Sequence, residues 1–113
     1  MKGAMRLRIL KFIVENQKIK QDPSCDFSGI VTGTEGYLKA EFSFSKEWDG
    51  FVKVAAFWSL GRECPPKILK DGKSCIIPAE ALRWTEFEIG VIGKKNGCKI
   101  KTGRVKVSQE RGA

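Results

Sequence analysis

Leu38-Lys39-Ala40-Glu41-Phe42-Ser43-Phe44-Ser45-Lys46-Glu47-Trp48-Asp49-Gly50 decides the fold class. Apolar and polar residues alternate strictly at its start. Leu38, Ala40, Phe42 and Phe44 share one face, while Lys39, Glu41, Ser43 and Ser45 share the other. A period of two is the mark of a half-buried β-strand. Asp49-Gly50 then supplies turn chemistry. A second apolar run, Phe51 to Ser59, follows at once and is apolar on both faces, as a central strand would be. The unit is a strand, a corner built from Trp48, Asp49 and Gly50, and a second strand. At the corner, Asp49 is expected to cap the turn and Trp48 to pack inward.

The same punctuation recurs along the chain. Arg6 to Val14 reads as a first strand covered on both sides, and Glu15-Asn16-Gln17 as a turn into Lys18-Ile19-Lys20. Ser28 to Thr34 reads as a weaker strand between glycines. Beyond the corner, Pro65-Pro66 pushes the strand Lys67 to Lys70 to an edge. Asp71-Gly72 is a tight turn into Ser74 to Ile77. Pro78-Ala79-Glu80-Ala81-Leu82 reads as one helical turn with proline at its first position. Thr85 to Val91 alternates again, and Asn96-Gly97 marks a hairpin of the type I′ kind. The last strand, Cys98 to Val107, changes parity at Thr102-Gly103, which calls for a glycine-centred β-bulge. With that bulge, Lys99, Lys101, Arg104 and Lys106 face outward. The polar tail from Gln109 is expected to leave the sheet. Turn signals every ten residues or so predict an all-β domain: one antiparallel β-sandwich, Ig-like or jelly-roll-like, of about seven to eight strands. One domain covers 1–113, with its core over about 6–108.

Composition narrows the chemistry. The chain has 113 residues, 21 lysines and arginines against 13 acids, and no histidine. Without imidazole, the usual acid–base group near neutral pH is missing and a cysteine nucleophile lacks its partner. No glycine-rich phosphate loop is present. The expectation is a protein that is not an enzyme and carries no cofactor. Cys25, Cys64, Cys75 and Cys98 form no Cys-x-x-Cys pair, so buried free thiols are expected rather than a metal site. The basic start Met1 to Arg8 is followed by Ile9 to Val14, a run broken by Lys11 and too short for a signal-peptide core. Secretion by that route is not expected, nor is membrane insertion.

The net charge of +8 raises the expectation of an anionic partner. The candidate surface is the last hairpin: Lys94, Lys95, Lys99, Lys101, Arg104 and Lys106. The alternative is a solvated edge protected from aggregation by lysine. Trp48, Trp58 and Trp84 sit near strand ends and are expected to pack in the core or at corners. Tyr37 is the aromatic expected to face out.

The order of motifs carries a resemblance. Tyr37 to Phe44, Glu47-Trp48-Asp49-Gly50, Ala55-Ala56-Phe57, Cys75-Ile76-Ile77-Pro78-Ala79-Glu80-Ala81-Leu82, Gly90-Val91-Ile92-Gly93 and Lys101-Thr102-Gly103-Arg104-Val105-Lys106-Val107 together resemble small β-sandwich domains of Firmicutes phage and prophage structural proteins, often in tail or baseplate polypeptides. The resemblance spans about residues 6 to 108. It implies a structural or interaction module of a virion tail, baseplate or decoration that works through protein contacts, as a homo-oligomer or with a phage or host protein. Its motifs are structural, so it transfers no functional residue. In tail proteins such a domain is one module among several. A lone copy opens a second class: an anti-defence protein that sequesters a nucleotide signal or binds a host immune effector. A third is a basic nucleic-acid-binding protein.

Overall fold

The computed structural model of the chain describes residues 6–113; the basic start at 1–5 lies outside the described residues. These residues are mostly β, in ten strands: β1 (Arg8–Glu15), β2 (Lys18–Gln21), β3 (Leu38–Phe44), β4 (Val52–Ser59), β5 (Arg62–Glu63), β6 (Lys67–Ile68), β7 (Ser74–Ile76), β8 (Glu86–Lys95), β9 (Cys98–Lys101) and β10 (Val105–Ser108). That is more than the seven or eight expected, because Pro65-Pro66 and the bulge cut long segments into short ones. One sheet has the order β2-β1-β3-β7; the other has the order β10-β8-β4-β5, with β6 beside β4 and β9 beside β8. Two 3-10 turns, Lys46–Trp48 and Ala79–Leu82, join strands. The expected helical turn is thus present at 79–82, but Pro78 caps it rather than starting it. A second such turn forms the tryptophan corner.

Alternation along β3 holds as read: Leu38, Ala40 and Phe42 are buried. They meet Leu10, Phe12 and Val14 of β1, with the Phe12 and Phe42 rings stacked at 5.5 Å. A single cluster joins these residues to Ala55, Phe57, Phe87, Ile89, Val91 and Val107 of the second sheet. Pairing is antiparallel except between β1 and β3, which run parallel with Phe12 opposite Phe42. The wholly antiparallel arrangement is therefore corrected. A parallel pair needs a long connection: β2 turns the chain back along β1, and residues 22–37 complete the crossover.

That crossover is irregular, so the expected strand Ser28 to Thr34 does not form. Gly29, Gly33 and Gly36 take positive φ there, and only Val31 makes a bridge, to Glu110. The tail is likewise held rather than released. Gln109 is buried, its side-chain N–H donates to the Trp84 carbonyl at 2.6 Å, and the Gly112 N–H donates to Thr32 Oγ1 at 2.8 Å. Polarity misled the sequence reading because these groups bond inward to loop carbonyls and hydroxyls. The outer face of β1 is also less covered than its composition suggests, with Ile9 partly exposed.

The parity change in the last strand is a bulge. Lys101 stands opposite Ile92 and Val105 opposite Ile89, so Thr102, Gly103 and Arg104 oppose only Gly90 and Val91. Thr102 mends the ladder. Its hydroxyl accepts from the Val91 N–H at 2.9 Å and donates to the Gly103 carbonyl at 2.6 Å. Removing the hydroxyl leaves a buried N–H short of a partner. Thr102→Val is expected to cost about 1–3 kcal/mol in urea denaturation; an unchanged midpoint would show that the hydroxyl does not hold the bulge.

Three acid–serine turns shape the loops. Asp22 binds Ser24, Asp26 binds Ser28 and Asp71 binds Ser74 through hydroxyl and backbone N–H. The Ser74 hydroxyl, then the Lys73 and Ser74 N–H groups, hold the Asp71 carboxyl down from 3.8 to about 2. A depressed folded value stabilises above the unfolded value and is lost as pH falls through the folded one. Stability should be level above about pH 4 and decline from there toward pH 2. Asp71→Asn should lower the neutral plateau and flatten that acid limb in pH-resolved thermal unfolding; an unaltered limb would remove Asp71 from the account.

Candidate binding face

The β8–β9 hairpin turns on Asn96-Gly97, both at positive φ, as the Asn-Gly pair requires. Its register puts Ile92 opposite Lys101, Gly93 opposite Ile100 and Lys94 opposite Lys99. Gly93 and Val91 are buried, so Lys94, Lys99 and Lys101 project from the outer face. The bulge returns Arg104 to that face, and Lys106, opposite Glu88, continues it. Five of the six expected cations therefore share one surface. Lys95 does not. It points to the other side, where its Nζ donates to the Asp49 carbonyl at 3.3 Å and lies 5.6 Å from the Phe51 ring centroid.

The floor beside these cations is apolar. β4 pairs with β8 through Val52–Lys94, Val54–Ile92, Ala56–Gly90 and Trp58–Glu88, so its outward residues are Val52, Val54, Ala56 and Trp58. β6 adds Ile68 opposite Val54. Val52 is 62% exposed and Ile68 59%. β4 is central in its sheet, but its outer face is open rather than covered. An open groove of about 370 Å³ runs over Val54, Ala56, Trp58 and Ile92 toward Lys94, Lys99 and Lys101.

The charges on this face are not neutralised evenly. Arg104 Nη1 meets Glu88 at 3.4 Å and Lys106 meets Glu86 at 3.9 Å. Lys94, Lys99 and Lys101 join no ion pair among the described residues, and like charges directly opposite across a ladder are destabilising. The guanidinium of Arg104 lies 3.6 Å from the Trp58 ring centroid. Trp58 thus faces outward, against expectation, but the cation already covers its ring, so a base would have to displace Arg104 to stack there.

The remaining expected roles sort cleanly. Trp48 is fully buried, and its indole N–H donates to the Asn16 carbonyl at 2.7 Å. Asp49 does not cap the corner through its side chain. Its backbone N–H donates to Lys46, and Gly50 takes φ +78°. Trp84 is exposed rather than packed, and Tyr37 is exposed as read. All four cysteines are free: Cys64 is buried, Cys25 and Cys75 are half-buried, and Cys98 is exposed on the hairpin. Burial pushes the Cys75 thiol up to about 12, so it stays protonated at neutral pH and is a poor nucleophile. Among the described residues no cluster of three or more acids or cysteines is placed to hold a metal ion, and no helix is long and apolar enough to cross a membrane.

The parity of Trp58 with Val52, Val54 and Ala56 was visible in the sequence. What was not visible is which side of β4 the second sheet covers. No family model, curated protein or solved structure matches the chain.

Proposed function

We propose that the chain is a non-enzymatic interaction module, a β-sandwich whose two sheets enclose the shared apolar cluster. It docks an acidic, apolar-centred protein surface on the open face of the six-stranded sheet. The observation that carries this is Lys94 held directly opposite Lys99, beside Lys101, with no carboxylate partner among the described residues and an exposed aliphatic floor. A polyanion alone would use the lysines and leave Val52, Val54 and Ile92 in water. A protein with acidic residues around an apolar centre uses both. Buried apolar centres with polar rims are the usual anatomy of protein interfaces. The setting proposed for this docking is a phage assembly, a reading that rests on the sequence resemblance to phage tail and baseplate domains alone.

The test is lysine footprinting on purified phage particles of the encoding host. Lys94, Lys99 and Lys101 should be protected in particles and reactive in the free protein, while Lys95 stays unchanged. Absence of the protein from particles would remove the virion role. A thermal shift with cyclic nucleotides, or binding of single-stranded DNA that persists at physiological salt, would replace the acidic protein by a phosphorylated ligand.

A further inference from the structure

A second surface, at the end of β4, breaks three local rules at once. Ser59 is 7% exposed and its hydroxyl has no hydrogen-bond partner. A buried orphan hydroxyl is destabilising and asks for an explanation. Next to it, Leu60 takes φ +53°, and among the described residues it is the one residue other than asparagine and glycine with positive φ. A left-handed conformation is unfavourable for leucine, and here the side chain is 68% exposed as well. Nearby Trp84 is 53% exposed. The fold alone would be served better by alanine at 59, asparagine at 60 and a polar residue at 84. Rule-breaking residues gathered in one place mark functional surface more often than error.

These residues line one cleft. It measures about 560 Å³ and is walled by Leu60, Pro65 and Trp84, with Ser59 and Cys64 inside and Arg62, Glu63, Glu80 and Arg83 around it. None of those four charges forms an ion pair among the described residues. Both signs are present in equal number, so the rim selects no strongly charged ligand. Leu60 and Gly61 form the two-residue connection from β4 to β5, which ends its sheet, so the outer main-chain edge of Arg62 and Glu63 borders the cleft.

We propose that this cleft holds a short peptide segment that brings one bulky apolar side chain and a main-chain amide. The side chain lies between Leu60 and Trp84, tryptophan being the residue type most enriched among interface anchors. The Ser59 hydroxyl, closed off from solvent in the free protein, can donate or accept; the amide reaches it as the exposed Leu60 side chain gives way. A peptide supplies both from adjacent atoms without net charge. A phosphate or a metal ion would meet Glu63 and Glu80 with the wrong balance of partners. The cleft lies apart from the basic face, sharing with its groove only the wall at Glu63 and Cys64.

The probes are capped tripeptides, Gly-Leu-Gly and Gly-Phe-Gly, titrated at millimolar concentration and followed by amide NMR. Acetate and inorganic phosphate serve as controls. Saturable shifts are expected at Ser59, Leu60, Arg62, Cys64 and the Trp84 indole N–H. Ser59→Ala should weaken binding about tenfold, the equivalent of one hydrogen bond, without lowering Tm. Leu60→Asn creates an Asn-Gly turn and should raise Tm while weakening binding. The proposal fails if neither tripeptide shifts these signals, or if acetate or phosphate shifts them instead. It also fails if Ser59→Ala lowers Tm, since the hydroxyl would then be structural.

Discussion

Trp48→Ala is expected to cost about 3–5 kcal/mol, the range for deleting a buried large aromatic, and so a large share of the roughly 5–15 kcal/mol that holds a domain together. The side chain is fully buried. Its ring contacts Phe44 at 5.4 Å and Phe51 at 6.3 Å between centroids, so it ties the end of β3 to the start of β4. It also fills the space over Gly93, where an added Cβ would lie 2.9 Å from Trp48 Cζ3. Indole and glycine are therefore one fitted pair across the two sheets' shared end. Two companion variants separate packing from hydrogen bonding. Trp48→Phe keeps an aromatic ring but leaves the Asn16 carbonyl without its indole donor, and should cost about 1 kcal/mol from the lost bond besides the smaller ring. Gly93→Ala overpacks and should cost about 1–3 kcal/mol. Combined, Trp48→Phe and Gly93→Ala should be less harmful than the sum of the two, because the smaller ring makes room for the methyl group. Urea unfolding of the four proteins gives the cycle. Strict additivity would mean that the two residues do not share a cavity.

What the sequence could disclose followed the range of its signals. The strand from Leu38, the Asn96-Gly97 hairpin and the bulge at Thr102 were legible because each rests on neighbours within a few residues. The parallel pairing of β1 with β3 was not, since either direction of β3 presents the same apolar face to the core. The loop at Ser28 to Thr34 and the tethered tail at Gln109 were misread for a related reason. Their order comes from distant hydrogen bonds, to Glu110, Trp84 and Thr32, that leave no local pattern. At the candidate site, one correction was available in advance. Lys94 and Lys95 are consecutive in a strand and must point to opposite faces, so both could not belong to one surface. The apolar half of the face was out of reach. Val52, Val54, Ala56 and Trp58 declare themselves outward only once the second sheet is seen to cover Ala55 and Phe57 instead.

Lys99→Glu is expected to abolish docking on the basic face while leaving the fold intact or firmer. In the native protein Lys99 faces Lys94 across the ladder. Reversing one charge turns a repulsive cross-strand pair into an attractive one, a change of about 0.2–1 kcal/mol in favour of folding. The same reversal sets a carboxylate against an acidic partner, and like-charge juxtaposition at an interface costs several kcal/mol, about a hundredfold or more in Kd. Lys95→Glu is the matched control. It lowers the net charge from +8 by the same amount, but Lys95 points away from the face, toward Asp49 and Phe51. Any polyanionic matrix responds to total charge, so a difference between the two variants reports arrangement alone. On heparin, Lys99→Glu should elute at clearly lower salt than Lys95→Glu, and the gap should widen in a Lys99→Glu, Lys101→Glu double variant. Coincident elution would mean that the lysines act as independent solvated charges. The elution gap, rather than the stability change, decides between the two readings of this edge, because relieving the Lys94–Lys99 repulsion firms the fold under either. Lysines kept only to guard an edge strand could be replaced by glutamate at no loss, whereas a repulsive pair that is relieved by the same substitution that destroys binding is there for the partner.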